Sequence, residues 1–158
     1  MSGAAALPKT ATLRRVVDGD TVQLMDGRFV RYIGIDTPEV RRKARPGDQE
    51  WRAGEDRWVV DPEPFGEAAL EANKRLVEGR TVRLEYDAQT HDRFGRILAY
   101  VWVDALMVNA ELLKEGFAQP LTIPPDVKYA EQFRALADEA RRAGRGLWGT
   151  TDGSPHRQ

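Results

Sequence analysis

Hydrophobic and β-branched residues alternate with polar ones through three short stretches near the start of the chain, ending near Val17, Met25 and Ile35. The two-residue period and the threonine and valine content predict β-strands. Aspartate–glycine pairs separate the stretches, and such pairs are typical of tight turns. The pattern therefore predicts an antiparallel meander, in which the ends of the first and third strands lie near each other.

The rest of the chain alternates between helical and strand periodicity. The predicted elements are a helix over 66–78, strands over 81–86 and 96–102, a short helix capped by Asn109, and a last helix capped by Asp126. The last helix carries an apolar stripe, on which we expect Trp148 to dock. This order predicts an α+β fold, a five-stranded Greek-key β-barrel of the OB-fold type with three α-helices.

One domain accounts for the 158 residues. We place it at 10–149, after a flexible lead over 1–9 and before a disordered tail over 150–158. Residues 40–64 show neither period and are predicted to form a long irregular loop. A loop of this length in a small domain is usually functional or partly disordered.

The composition of the chain excludes several kinds of functional site. The chain has no cysteine, which excludes disulfides, thiolate metal sites and thiol nucleophiles. Its formal net charge of −1 means that any attraction to nucleic acid must be local. No signal peptide and no membrane-spanning segment is visible, so the location stays open between the cytoplasm and a mature secreted form. We expect a monomer without a membrane partner.

Two aspartates stand where predicted strands begin or end. Asp20 follows a turn before the second strand, and Asp36 ends the third. If these strands are neighbours, the two carboxylates converge at one end of the barrel, where a backbone carbonyl and water would complete a calcium or magnesium site. The alternative is that Asp18–Thr21 is merely a turn, because aspartate and glycine are common turn residues.

Two arginines and a glutamate extend this set. Arg31 lies within a predicted strand and Arg96 follows a glycine turn. Together their guanidinium groups suit a phosphate, although each alone is more often a surface charge. Glu39 is held off the strand end by Pro38, from where it could take a proton from water or orient that water. The alternative for Glu39 is an exposed loop carboxylate.

Four motifs occur in one order along the chain: Asp18-Gly-Asp-Thr21, Arg31-Tyr-Ile-Gly-Ile-Asp-Thr-Pro-Glu39, Asp92-Arg-Phe-Gly-Arg-Ile-Leu-Ala-Tyr100 and Gly146-Leu-Trp148. With them the sequence resembles the staphylococcal nuclease (thermonuclease) family from about Thr10 to Gly149. The loop over 40–64 is the exception. Any one motif would be a weak signal, whereas four linked motifs are specific.

The resemblance implies a calcium-dependent nuclease that cuts DNA and RNA with little base specificity. In that family the 5′ oxygen leaves and a 3′-phosphate remains. The implied calcium ligands are Asp20, Asp36 and the backbone carbonyl of Thr37. The implied catalytic residues are Arg31 and Arg96, which would clamp the phosphate, and Glu39, as general base or as the residue that positions the attacking water.

The sequence also departs from the family. Thr122 and Pro124 stand where nucleotide-contacting tyrosines are expected, and Phe94 stands where a tyrosine is frequent. Loss of aromatic stacking would weaken single-strand binding by about 1–3 kcal/mol per base. All six site positions, however, carry the residue type that the chemistry needs.

The long loop leaves two questions open. Its basic run, Arg41, Arg42, Lys43 and Arg45, would either feed substrate to the site or form a solvated charge run. Trp51 and Trp58 would either stack bases or pin the loop to the barrel, and pinning is the commoner use of an aromatic side chain.

Two other functions are compatible with the fold. A catalytically silent nucleic-acid-binding module would use the groove alone, but a retired site usually loses a metal carboxylate or a phosphate arginine. A scaffold domain that binds a partner through its last helix would need an exposed apolar patch. The complete set of six residues favours the enzyme.

Overall fold

The computed structural model describes residues 6–61 and 63–149. Within them the strands are β1 (Thr10–Asp18), β2 (Thr21–Leu24), β3 (Phe29–Tyr32), β4 (Ile35–Asp36), β5 (Arg41–Lys43), β6 (Trp58–Val60), β7 (Thr81–Glu85), β8 (Ile97–Val103), β9 (Leu106–Met107) and β10 (Gln119–Pro120). The helices are α1 (Gly66–Val77), α2 (Val108–Lys114) and α3 (Ala130–Ala143), followed by a 3-10 helix over Gly146–Gly149. The tail predicted over 150–158 and the first five residues of the predicted lead lie outside the described residues.

Five strands close into a barrel. In the order β3, β2, β1, β7 and β8 each strand pairs with the next in antiparallel fashion, and a parallel pairing of β3 with β8 closes the ring. Fully buried side chains fill the interior, among them Val22, Val30, Val82 and Ile97. The structure therefore confirms the predicted α+β fold of a five-stranded barrel with three helices.

The third strand ends earlier than its hydrophobic pattern predicts. It stops at Tyr32, because Gly34 adopts a φ of 83° and turns the chain. A Cβ on Gly34 would lie 2.6 Å from the Phe133 ring, so the turn packs directly on α3. The chain then continues as β4, which pairs with β10 and so fixes the backbone of Asp36 against Gln119.

The prediction that Asn109 caps α2 is wrong. The helix begins one residue earlier, and Asn109 is fully buried inside its first turn. Its side-chain amide donates to the Ile33 carbonyl at 2.8 Å, and its side-chain oxygen accepts from the Val101 N–H at 2.9 Å. Asn109 therefore ties α2 to the barrel, a tertiary use that outweighs its local preference for a cap.

The last helix also begins later than predicted. Asp126 does not cap α3, which starts at Ala130; instead its carboxylate accepts from the Gln89 N–H at 2.6 Å. The predicted apolar stripe does face the core, where Phe133 and Ala137 are buried. As expected, Trp148 lies against this helix, with the Arg141 guanidinium 5.0 Å from its ring centroid.

None of the described helices is long and apolar enough to cross a membrane.

The segment over 40–64 is more ordered than predicted. Its two ends pair as the antiparallel hairpin β5–β6, with Arg41 opposite Val60 and Lys43 opposite Trp58. The expectation that the tryptophans are pinned to the barrel is wrong for Trp58, which is 54% exposed. The hairpin was missed because each strand is only three residues long and too short to show a period.

Two glutamates at the C-terminal end of α2, Glu111 and Glu115, make the stability of the folded protein depend on pH. Burial, then a side-chain hydrogen bond and the charge of Glu111, raise the pKa of Glu115 from 4.5 to about 7. The folded state thus holds this proton more tightly than the unfolded state. Its stabilising effect is complete below about pH 4.5 and is lost as the pH rises through about 7.

We predict that Glu115→Gln reduces the fall in the free energy of unfolding between about pH 4.5 and 7, because the neutral amide needs no proton. Urea unfolding at several pH values measures this. Glu131→Gln, at an exposed position early in α3, is the matched control. An unchanged pH slope in the Glu115→Gln variant would contradict the assignment.

Candidate active site at the end of the barrel

Arg31 is the centre of the candidate site. Its guanidinium donates from Nη1 to the carbonyls of Tyr32, at 3.0 Å, and Ile35, at 2.9 Å. The same nitrogen lies 3.3 Å from Oδ2 of Asp20, and Nη2 lies 3.3 Å from Oδ1 of Asp36. The structure therefore brings together the two carboxylates that the sequence predicted to converge, with Arg31 between them.

Asp20 is the buried member of this pair, with only 2% of its surface exposed. Its Oδ2 accepts the backbone N–H of Thr37 at 3.1 Å, and its Oδ1 accepts the Thr21 hydroxyl at 3.1 Å. Its own carbonyl accepts from the Tyr32 N–H. These bonds hold the Asp20 carboxylate in one orientation, next to the backbone of Thr37.

The turn that carries Asp20 is supported from α1. Asn73, fully buried, donates to the Asp18 carbonyl at 2.9 Å and accepts from the Tyr32 hydroxyl at 2.7 Å. Gly19 sits so close to the residue after β4 that a Cβ would lie 2.6 Å from Oγ1 of Thr37. Sequence reasoning missed Asn73, because a single asparagine within a helical pattern carries no signal of a distant partner.

Glu39 is held by a second glutamate that the sequence did not single out. The Glu39 N–H donates to Oε1 of Glu63 at 2.8 Å, and the Glu63 N–H donates to the Glu39 carbonyl at 2.8 Å. Gly66 approaches the same carbonyl so closely that a Cβ there would collide with it. A glycine at the first position of a helix was the one local hint of this close approach.

Negative charge accumulates around these residues. Burial, followed by the charges of Asp20 and Asp36, raises the pKa of Glu39, and Arg31 opposes the shift. Burial and then the charge of Asp20 also raise the pKa of Asp36. Burial, with the neighbouring Asp20 as the next cause, raises the pKa of Asp18 to about 8. One guanidinium does not balance so many carboxylates, and a cation would be favoured here.

Arg96 reaches the same cleft from the turn just before β8, the strand that pairs with β3. A tight turn holds it: Asp92 accepts the backbone N–H groups of Phe94 and Arg96, and its Oδ2 pairs with Nε of Arg96 at 2.7 Å. The parallel pairing of β3 with β8 sets Arg31 opposite Leu98, two residues after Arg96. Both arginines line one cleft of about 250 Å³, with Phe94, Leu121 and Ile123 on its apolar side.

The donor set fits a hard divalent cation. Asp20, Asp36 and the Thr37 carbonyl offer oxygen only, which suits calcium or magnesium completed by water. Among residues 6–61 and 63–149, no three or more His, Cys, Asp or Glu side chains are grouped to hold a metal. Oγ1 of Thr37 is buried without a hydrogen-bond partner among the same residues, which leaves an oxygen free beside the two carboxylates.

Comparison with known proteins confirms the family resemblance that the sequence predicted. The family described as "Staphylococcal nuclease homologue" matches residues 29–150. The chain is 36% identical to the thermonuclease of Staphylococcus hyicus over 143 residues, which cover 89% of this chain and 76% of that one. It is 37% identical to Endonuclease YncB of Bacillus subtilis, over 87% of this chain and 60% of that one. The protein belongs to the staphylococcal nuclease family.

Proposed function

We propose that this protein is a calcium-dependent nuclease that hydrolyses phosphodiester bonds of DNA and RNA with little base specificity and leaves 3′-phosphate ends. One observation carries the proposal: Arg31 and Arg96 line one cleft, and Arg31 is also paired with the carboxylates of Asp20 and Asp36. The relatives named thermonuclease and endonuclease support a nuclease.

The two arginines would bind the scissile phosphate. Guanidinium groups engage phosphate oxygens through two parallel N–H donors and keep their charge at any working pH. The carbonyls of Tyr32 and Ile35 fix the Arg31 fork, and Asp92 fixes Arg96. Donors held in place in this way stabilise the charge that develops on the phosphate oxygens in the transition state.

Asp20, Asp36 and the Thr37 carbonyl would hold calcium. When bound, the cation would offset negative charge at the phosphate and at the carboxylates that now raise one another's pKa. Glu39 would take a proton from the attacking water, or hold that water in line with the phosphorus. The water oxygen forms a bond to phosphorus as the bond from phosphorus to the 5′ oxygen breaks, and the 5′ oxygen leaves with a proton from solvent.

Low base specificity follows from what the cleft offers. Its charged groups suit phosphate oxygens, which are the same in every nucleotide. One part of its wall is apolar: Phe94, Leu121 and Ile123 are all exposed there. Such a wall can pack against any base without reading its hydrogen-bonding edge.

Cleavage assays with and without calcium test the activity itself. We expect the purified protein to cut single- and double-stranded DNA and RNA in calcium, and to lose this cleavage in excess EGTA. Glu39→Gln should lower single-turnover cleavage by at least about a hundredfold, the usual scale for a general base, while calcium binding measured by calorimetry persists. Cleavage that continues unchanged in EGTA would refute calcium dependence, and nucleic-acid binding without any cleavage would instead indicate a silent module.

The second prediction concerns the anchor of Glu39. Glu63→Ala removes the acceptor of the Glu39 N–H, so we expect hydrogen exchange of that amide to accelerate roughly tenfold or more, with slower cleavage. Glu63→Gln keeps an oxygen acceptor and should retain most of the protection. Equal exchange rates in the Ala variant and the wild type would show that the Glu63 side chain does not hold Glu39.

A further inference from the structure

The β5–β6 hairpin has two unlike faces. Residues directly opposite each other in an antiparallel pair point to the same side of the sheet. Arg41 opposite Val60 and Lys43 opposite Trp58 therefore share one face, and Arg42 opposite Val59 occupies the other. We call the first of these the outer face; it is formed by Arg41, Lys43, Trp58 and Val60.

The opposite face anchors the hairpin. Arg42 donates from Nε to Asp61 at 2.6 Å and from Nη1 to Asp48 at 2.8 Å. Asp48 also accepts the backbone N–H of Arg45 at 2.7 Å, and these bonds to Arg42 and Arg45 lower its pKa to about 2. Arg42 is thus fully engaged within the segment, and a role for it in feeding substrate is not supported.

The outer face, by contrast, is open. Trp58 is 54% exposed and Val60 is 70% exposed. The Arg41 guanidinium lies 6.0 Å from the centroid of the Trp58 ring, at the limit of a cation–π contact. Lys43 has a carboxylate neighbour, Asp56, at 3.6 Å, but both side chains are well exposed, so this pair is weak in water.

We propose that the outer face binds single-stranded nucleic acid outside the catalytic cleft, with one base stacked on Trp58 and the backbone phosphates on Arg41 and Lys43. An exposed aromatic ring between cations is the arrangement with which proteins hold single strands without reading sequence. This proposal rests on the proposed function, because it supposes that nucleic acid is the substrate.

The position of the hairpin supports this occupant. Arg41 is two residues from Glu39, and Glu63, just beyond β6, is hydrogen-bonded to Glu39 in both directions. A strand held in the cleft by Arg31 and Arg96 would thus leave it close to the base of the hairpin. The two cations complement the phosphates, and an exposed tryptophan beside them complements a base.

Trp58→Ala tests the stacking. Binding of a single-stranded oligonucleotide of about 16 nucleotides is measured in EGTA, by anisotropy, so that no cleavage intervenes. We expect the dissociation constant to rise roughly 5- to 100-fold for the single strand, but much less for a duplex, whose bases are already stacked. Trp58→Phe keeps a ring and should recover most of the affinity. Trp51→Ala, at the other exposed tryptophan of the segment, is the matched control.

Lys43→Ala together with Arg41→Ala tests the charges independently of the ring. Loss of two phosphate contacts should lower the slope of log affinity against log salt by about 1.4, since each contact to a single strand contributes about 0.7. The inference is overturned if Trp58→Ala binds like the wild type, if Trp51→Ala loses as much affinity, or if the duplex is affected as strongly. Calcium-dependent cleavage by the wild type is scored separately, so failure of the proposed function is distinguishable from failure of this surface.

Discussion

The position of the Arg31 guanidinium between Asp20 and Asp36 is the constraint on which the rest of the site depends. Asp20 is almost fully buried, and a buried charge is tolerated only when it is paired and hydrogen-bonded. Removal of one partner from a buried pair typically costs about 3–5 kcal/mol. The barrel supplies the setting, because β3 carries Arg31 and the turn between β1 and β2 carries Asp20. The architecture thus holds the groups proposed to bind the phosphate and the cation within a few ångströms of each other.

The segment over 40–64 is attached to the same site through Glu39. Glu39 immediately precedes it and Glu63 lies near its end. The Glu39 N–H donates to the Glu63 side chain, and the Glu63 N–H donates to the Glu39 carbonyl. An element that carries its own strands, its own ion-pair network around Arg42 and an exposed tryptophan is therefore built onto the residue proposed to handle the water. Long insertions are tolerated at little entropic cost when their ends are held together in this way.

Much of this could be predicted from the sequence. The alternation of hydrophobic and polar residues predicted the strands of the barrel. The linked motifs pointed to the residues that lie around Arg31. The predictions that failed concern tertiary hydrogen bonds, which local sequence patterns do not reveal. Asn109 and Asp126 have the side chains of helix caps but bind backbone groups of distant strands and loops. The partnership of Glu39 with Glu63 spans 24 positions of a segment without periodicity, so no local pattern could reveal it.

The most direct test of the account is single-turnover cleavage by Arg31→Lys in calcium. Lysine keeps the charge but is a single point donor, which cannot hold the carbonyls of Tyr32 and Ile35, both carboxylates and a phosphate in one geometry. We expect single-stranded DNA to bind within a few-fold of the wild type while cleavage slows by at least about a hundredfold, on the scale of a lost transition-state donor. Cleavage at a rate near that of the wild type would contradict the central role of the Arg31 fork.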